Sequence, residues 1–253
     1  MAAIAPILVE EAGLNALQTQ QQLFYDGWLL RVSPGKAKRA RSVNAHFGSS
    51  LPLAAKIDHC ESLYAARGLP ALFRITPFMQ PPELETALER RGYVAFDPTL
   101  VQVLPLARPP EIDAAVDVTL EAPPIADFVA AVGELRASSA QQRAAHLERL
   151  GSTPLATHAI LARVDGRPVA CGQATLERTL AGVYDMVTAD DMQGRGLATL
   201  IVTELLTWAW TRGASHAYLQ VNDDNAPARA VYRKFGFATA YEYHYRARPD
   251  ECR

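Results

Sequence analysis

The sequence predicts an α/β protein of two tandem domains, each a mixed, largely antiparallel sheet flanked by helices. Three observations predict it. One order of features recurs on either side of a proline-rich segment. The later half runs through helices, an antiparallel stretch and then β-α-β-α-β. The 253 residues suffice for two domains of about 100–150 residues each.

The repeat is written in its punctuation. In the earlier half, Ser42-Val43-Asn44 leads into a helical stretch ending at Ala66-Arg67-Gly68; a strand over 71–75 and a short helix closed by Arg91-Gly92-Tyr93 follow. In the later half, Met186-Val187-Thr188 leads into a helix ending at Thr211-Arg212-Gly213, then a strand over 217–221 and a helix closed by Phe235-Gly236-Phe237. Gly68 and Gly213 stand 145 positions apart, Gly92 and Gly236 144 apart. Each falls where a helix stop calls for a left-handed residue. Pro105, Pro109 and Pro110 interrupt both periods and read as a linker, which places the domains at 1–108 and 114–253.

In the later half, amphipathic patterns predict helices over 124–136 and 140–150. Two β-rich runs, 156–164 and 168–177, are joined by Asp165-Gly166, a hairpin signal. A strand over 182–188 precedes a helix over 194–212 with Leu197, Leu200, Ile201, Leu205, Trp208 and Ala209 at helical spacing. After a strand over 216–221, Asn225 caps a helix carrying Pro227 in its first turn, where the missing N–H is harmless. Its apolar stripe is Ala228, Val231, Tyr232 and Phe235, and an aromatic strand over 241–246 closes the sheet.

Composition narrows the functional class. With 49% hydrophobic and 21% charged residues the chain matches ordinary globular proteins. A net charge of −2 gives no electrostatic case for nucleic acid or an anionic membrane. The longest apolar runs are too short to span a bilayer, and the first residues lack the basic start of a signal peptide. Cys60, Cys171 and Cys252 are odd in number, with no metal-binding spacing. The expectation is a cytoplasmic protein that uses no metal.

The chemistry concentrates in Gln193-Gly194-Arg195-Gly196-Leu197-Ala198, between a strand and a long helix. A helix N-terminus presents unpaired N–H groups and positive potential, which suit a pyrophosphate, and the glycines allow close approach. Gln193 and Arg195 can add donors. A Rossmann fingerprint fails at Thr199, and a P-loop fails for want of Gly-Lys-Ser/Thr; a plain glycine turn before a helix remains the bland reading. The second constellation runs from Asn225 through Tyr232 to Gly236-Phe237.

Gln-x-x-Gly-x-Ala after a strand, followed some thirty residues later by Asn-x-x-Ala-x-x-Val-Tyr-x-x-x-Gly-Phe, resembles the two core motifs of GNAT N-acetyltransferases. The resemblance covers the last 140 residues or so, and the two-part layout is similar to tandem GNAT proteins of the mycothiol synthase kind. It implies acetyl-CoA as co-substrate and a primary amine as acceptor, and the two-part layout points to a small-molecule amine. The strand over 182–188 would splay from its neighbour to admit the pantetheine against Met186, Val187 and Thr188. The pyrophosphate would rest on Gly194 to Ala198, Asn225 would touch the pantetheine arm, and the Tyr232 phenol would protonate the leaving thiolate; as a residue of an apolar stripe, Tyr232 also suits the core.

The base is not evident. Positions where the family often has glutamate hold Gly182 and Gln220; Asp185, Glu177 and His244 are weak substitutes, and Asp185 should alternate away from Tyr184 and Met186. A water chain would serve instead. At an offset of 144, Gly196, Asn225 and Tyr232 map to Pro52, Pro81 and Leu88, so the earlier copy is expected to be degenerate. Its Lys36, Lys38, Arg39 and Arg41 suit an acidic acceptor or a solvated hairpin equally well, and Tyr25 and Trp28 a cleft or the core. Rival readings are a CoA-binding scaffold without turnover and a transferase of another acyl group. Two packed halves would serve as a monomer in place of a homodimer, although a homodimer is also compatible with the sequence.

Overall fold

The computed structural model describes residues 4–111 and 118–252. The chain forms two compact units, one of Met1–Ala16 with Val101–Ala240 and the other of Leu17–Leu100 with Tyr241–Arg253. They are called here the later and the earlier unit. They depart from the expected 1–108 and 114–253 at both termini, because long-range pairing leaves no local punctuation. Pro105 is the last residue of a strand and not part of a linker. Most of the proline-poor remainder of that segment, 112–117, lies outside the described residues.

In the earlier unit, β1 (Gln21–Tyr25), β2 (Trp28–Val32), β3 (Val43–Ala45) and β4 (Phe73–Ile75) are joined by β11 (Ala238–Ala247). Pairing is antiparallel from β1 to β3, parallel between β3 and β4, and antiparallel between β4 and β11. Helices α2 (Leu53–Ala65) and α3 (Leu84–Arg90) supply Ile57, Tyr64, Leu84 and Leu88 to a core with Trp28, Leu30, Val43 and Phe73. Trp28 is thus a core residue, its Nε1 donating to Gln80 O at 2.8 Å. Lys38 and Arg39 lie in a 3-10 turn, and Lys38 pairs with Asp97 at 2.9 Å.

The later unit repeats the pattern. Its strands are β6 (Thr119–Glu121), β7 (Ala156–Val164), β8 (Arg167–Glu177), β9 (Leu180–Thr188) and β10 (His216–Asn222). Residues from Val101 of β5 (Val94–Pro105) also belong to it. Pairing is antiparallel from β6 to β9 and parallel between β9 and β10. Its helices are α1 (Pro6–Asn15), α4 (Ile125–Leu135), α5 (Ala140–Ser152), α6 (Leu197–Thr211) and α7 (Ala226–Phe235). Phe128, Val129, Val132 and Leu150 of α4 and α5 bury against Leu161 and Cys171. A capping box starts α5, Ser139 and Gln142 exchanging side-chain to backbone bonds.

Both halves contain an Asp-Gly hairpin, between β1 and β2 in the earlier and between β7 and β8 in the later. Asp26-Gly27 and Asp165-Gly166 have positive φ at both residues, the geometry that matches strand twist. Among the described residues no helix is long and apolar enough to cross a membrane.

Candidate active site

Strand β9 carries an extra residue. Its pairing with β8 runs Gln173↔Tyr184 and then Cys171↔Val187, so Asp185 and Met186 together oppose Gly172. Asp185 adopts φ +52, a left-handed conformation that aspartate tolerates better than most residues. The bulge overturns the expectation that Asp185 merely alternates away from its neighbours. It also shifts the phase of everything after it. Since Ala189 N donates to Val169 O of β8 at 2.8 Å, the period of two turns the Val187 backbone towards β8. The Met186 and Thr188 backbones then face the other edge.

That other edge opens. The parallel pairing of β9 with β10 runs from Leu180↔His216 to Val183↔Leu219 and stops, while β9 continues to Thr188 and β10 to Asn222. The expected parting is therefore present in the backbone. In the earlier unit, β3 and β4 pair at Val43↔Phe73 and Asn44↔Arg74. At the offset of 144 these correspond to Val187 and Thr188 against Ala217 and Tyr218; in the later unit Ala217 and Tyr218 instead pair with Ala181 and Gly182, and Val187 and Thr188 have no rung to β10. The earlier copy is closed where the later one is open.

The glycine loop follows. Gln193, Gly194 and Arg195 are exposed, Gly194 has φ +75, and a Cβ built on it would meet nothing within 4 Å. Gly196, with φ +84, is the residue before α6. Helix α6 starts at Leu197, not 194, because two left-handed glycines cannot continue a right-handed helix. The Gln193 amide donates to Asp190 at 3.0 Å. Leu197 is buried, and Ala198 and Gly196 are half-buried.

The same place in the earlier unit is filled by its own carboxylate. Asp26 accepts from Ser50 N at 3.0 Å, Ser50 Oγ at 2.8 Å and Leu51 N at 2.9 Å, just ahead of Pro52 and α2. The Leu51 and Ser50 N–H groups hold that carboxyl well below the usual range. Lys56, fully buried, lies 3.3 Å from Asp26 and over the Trp28 ring.

On α7, Asn225 accepts from Ala228 N at 3.1 Å, the expected cap. Tyr232 is 7% exposed and packs edge-on to Phe237. Burial pushes its phenol up to about 12, and the Arg136 guanidinium acts in the opposite sense. The phenol therefore stays protonated throughout the neutral range. Arg136, next to the end of α4, left no motif in the sequence; only its position between two helical patterns marked it.

The proposed bases are all engaged. Glu177 accepts from Asn15 Nδ2 at 2.9 Å. His244 belongs to the earlier unit, its Nε2 2.9 Å from Glu85 Oε1. Asp185 is held by several donors, described below. At Gly182 a Cβ would meet the Tyr218 and Tyr184 rings at 2.6 and 2.5 Å, and the two phenol oxygens lie 2.6 Å apart. Those rings occupy the volume where a side chain from position 182 would stand. Gln220 is approached by α1, a Cβ on Gly13 coming within 2.9 Å of its amide nitrogen.

The order of strands, the parted pair and the glycine loop ahead of α6 are those of an acetyltransferase of the GNAT type, and the chain is one. More particularly, it belongs to the family described as probable histone acetyltransferase Rv0428c C-terminal, whose model matches residues 7–246. It is 26% identical over 222 residues to the N-acetyltransferase YobR of Bacillus subtilis strain 168, spanning 87% of this chain and 89% of that one. Over 62 residues, 24% of this chain and 20% of the relative, it is 42% identical to mycothiol acetyltransferase of Saccharomonospora viridis. Among solved structures, a GCN5-related N-acetyltransferase from Kribbella flavida shares the fold with a TM-score of 0.67 and 17% identity, over 98% of this chain and 97% of that one. A tandem GNAT protein from the clavulanic acid biosynthesis pathway gives 0.59 at 16% identity, over 77% and 68%.

Proposed function

We propose that the later unit moves the acetyl group of acetyl-CoA to a primary amine of a small molecule. The parting of β9 from β10 beyond Val183 and Leu219 carries the reading. It leaves Met186 and Thr188 with backbone groups facing an unpaired edge, against which a pantetheine amide would bond as a strand does. The open N–H groups from Gly194 to Ala198 would take the pyrophosphate, and the Asn225 amide nitrogen would reach the pantetheine arm.

The amine nitrogen attacks the thioester carbonyl carbon. A C–N bond forms, and the developing oxyanion is stabilised by a backbone N–H of the β9 edge. The C–S bond breaks, the thiolate takes the Tyr232 proton, and the ammonium proton leaves to water. Solvent then reprotonates the phenolate. Among the described residues no side chain near the edge serves as a strong base, so an amine that is substantially unprotonated near neutrality suits the site best.

A second reading is a CoA-binding protein without turnover, favoured by the tyrosine pair over Gly182. The family description names a histone acceptor, whereas the named relatives include transferases for streptothricin and mycothiol. Small amines and a histone peptide therefore belong in one screen. The earlier unit, with its closed strands and its own carboxylate at α2, is proposed to bind no acetyl-CoA. We further propose that the protein acts in the cytoplasm.

Titration calorimetry tests this. Wild-type protein should bind acetyl-CoA at one site per chain, and Gly194→Asp, which places a carboxylate on the loop at an open left-handed position that aspartate tolerates, should lose it while remaining folded. Binding at two sites, or none, overturns the reading. With an acceptor in hand, Tyr232→Phe should lower kcat by about a hundredfold or more and leave acetyl-CoA binding within a few-fold. Binding without any turnover would favour the second reading.

A further inference from the structure

We infer that Asp185 is the positioning residue of the β9 edge: its carboxylate, gripped from two helices and a strand, fixes the direction of the Met186 backbone. The functional consequence rests on reading that edge as the acetyl-CoA slot.

A left-handed residue other than glycine costs about 1 kcal/mol or more, and a bulge of this kind persists only where its surroundings determine it. Here they do. Oδ1 accepts from Arg136 Nη1 at 2.8 Å, at the end of α4. Oδ2 accepts from Gln173 Nε2 of β8 at 2.7 Å and lies 3.0 Å from His146 Nε2 and 3.6 Å from Arg149 Nη2, both on α5. The Asp185 backbone oxygen lies 3.8 Å from Cys171 Sγ, and Arg136 Nη2 reaches Met186 O at 3.5 Å. The side chain is only 12% exposed.

Gln173, His146 and Arg149 reach Oδ2 from β8 and α5, and Arg136 bridges Oδ1 and Met186 O, so the extra residue is held back from the open edge. Met186, the next residue, is thereby turned towards it. Burial alone would raise the Asp185 carboxyl; the His146 hydrogen bond and the charges of His146, Arg136 and Arg149 outweigh it and hold the carboxyl well below its ordinary value. A carboxylate so held is a poor base, and its chemistry is that of an anchor. The Arg136 guanidinium that grips Oδ1 also acts on the Tyr232 phenol.

The test uses the full chain labelled with 15N-methionine, which gives backbone amide signals for Met79, Met186 and Met192; Met186→Leu identifies one of them. In the free protein, Asp185→Gly relieves the backbone strain and removes the grip. The Met186 amide should then broaden or split while the other methionine signals stay put. Asp185→Asn, which keeps the left-handed conformation and one acceptor, should restore much of the single wild-type signal. With acetyl-CoA added, the Met186 amide of the wild type should move downfield, and that of Asp185→Gly should not. An unchanged, single Met186 signal in free Asp185→Gly overturns the inference. A perturbed signal in a protein whose wild type binds no acetyl-CoA leaves the anchor standing and removes only the proposed function.

Discussion

Gly182 governs the surface beside the open edge by what it lacks. Because the Tyr184 and Tyr218 rings close over it, Gly182→Glu would not restore a base. It should lower stability by about 1–3 kcal/mol, the usual range for overpacking, read as a fall in Tm, with no gain in turnover. Asp185 and Asp26 make a second prediction. Both carboxyls are held below their ordinary values when folded, so each contributes stability that is complete above the unfolded value of about 3.9. That stability is lost as pH falls from there towards the folded value. A plot of Tm against pH should drop on the acid side, and Asp185→Asn should flatten part of the drop. If the variant and wild type lose Tm in parallel below pH 4, the carboxylate contributes no such term. Gly194, Gly196, Asn225 and Tyr232 were legible as residues because local motif chemistry marks them. The Asp185 grip was not, since Arg136 and His146 lie 49 and 39 positions away and only folding brings them to it.

Strand β9 shows how far a pattern of alternation can be read. Its span was nearly right from β propensity, yet the bulge cannot be seen in a run such as Tyr184-Asp185-Met186-Val187, where either phase is chemically acceptable. The parting from β10 was expected only through the family resemblance; the composition of the two strands does not announce it. The Asp26-Gly27 hairpin, by contrast, is written as plainly as Asp165-Gly166 and extends the repeat to one hairpin in each half. Helix α7 allows its cap to be separated from its proposed ligand contact. Asn225→Ala should cost about 1 kcal/mol of stability, whereas Asn225→Asp keeps an accepting oxygen for Ala228 and should hold Tm. Both lose the side-chain amide donor, so both should weaken acetyl-CoA binding in calorimetry. Unaltered binding in both would remove Asn225 from the slot.

Across the whole molecule, the duplication was legible because helix stops and turns repeat with the period of the fold. The assignment of the termini was not, because α1 and β11 carry ordinary amphipathic or aromatic patterns that fit either half. The thiols give a measure of the two cores. Burial pushes Cys60, in the earlier unit, and Cys171, in the later, up to about 12, while Cys252 is partly exposed. Native protein should release one equivalent quickly to a thiol reagent, and the other two only on unfolding; rapid labelling of all three would contradict the burial of both cores. The exchange of termini has a consequence in the order of synthesis. Strand β4 takes Tyr245 and Arg246 of β11 as partners, so the unit whose first strands are translated early is completed only when residues about 170 positions later have left the ribosome. Until then β4 keeps an open edge, and a stalled or truncated chain would carry that edge into the cell as a template for wrong pairing.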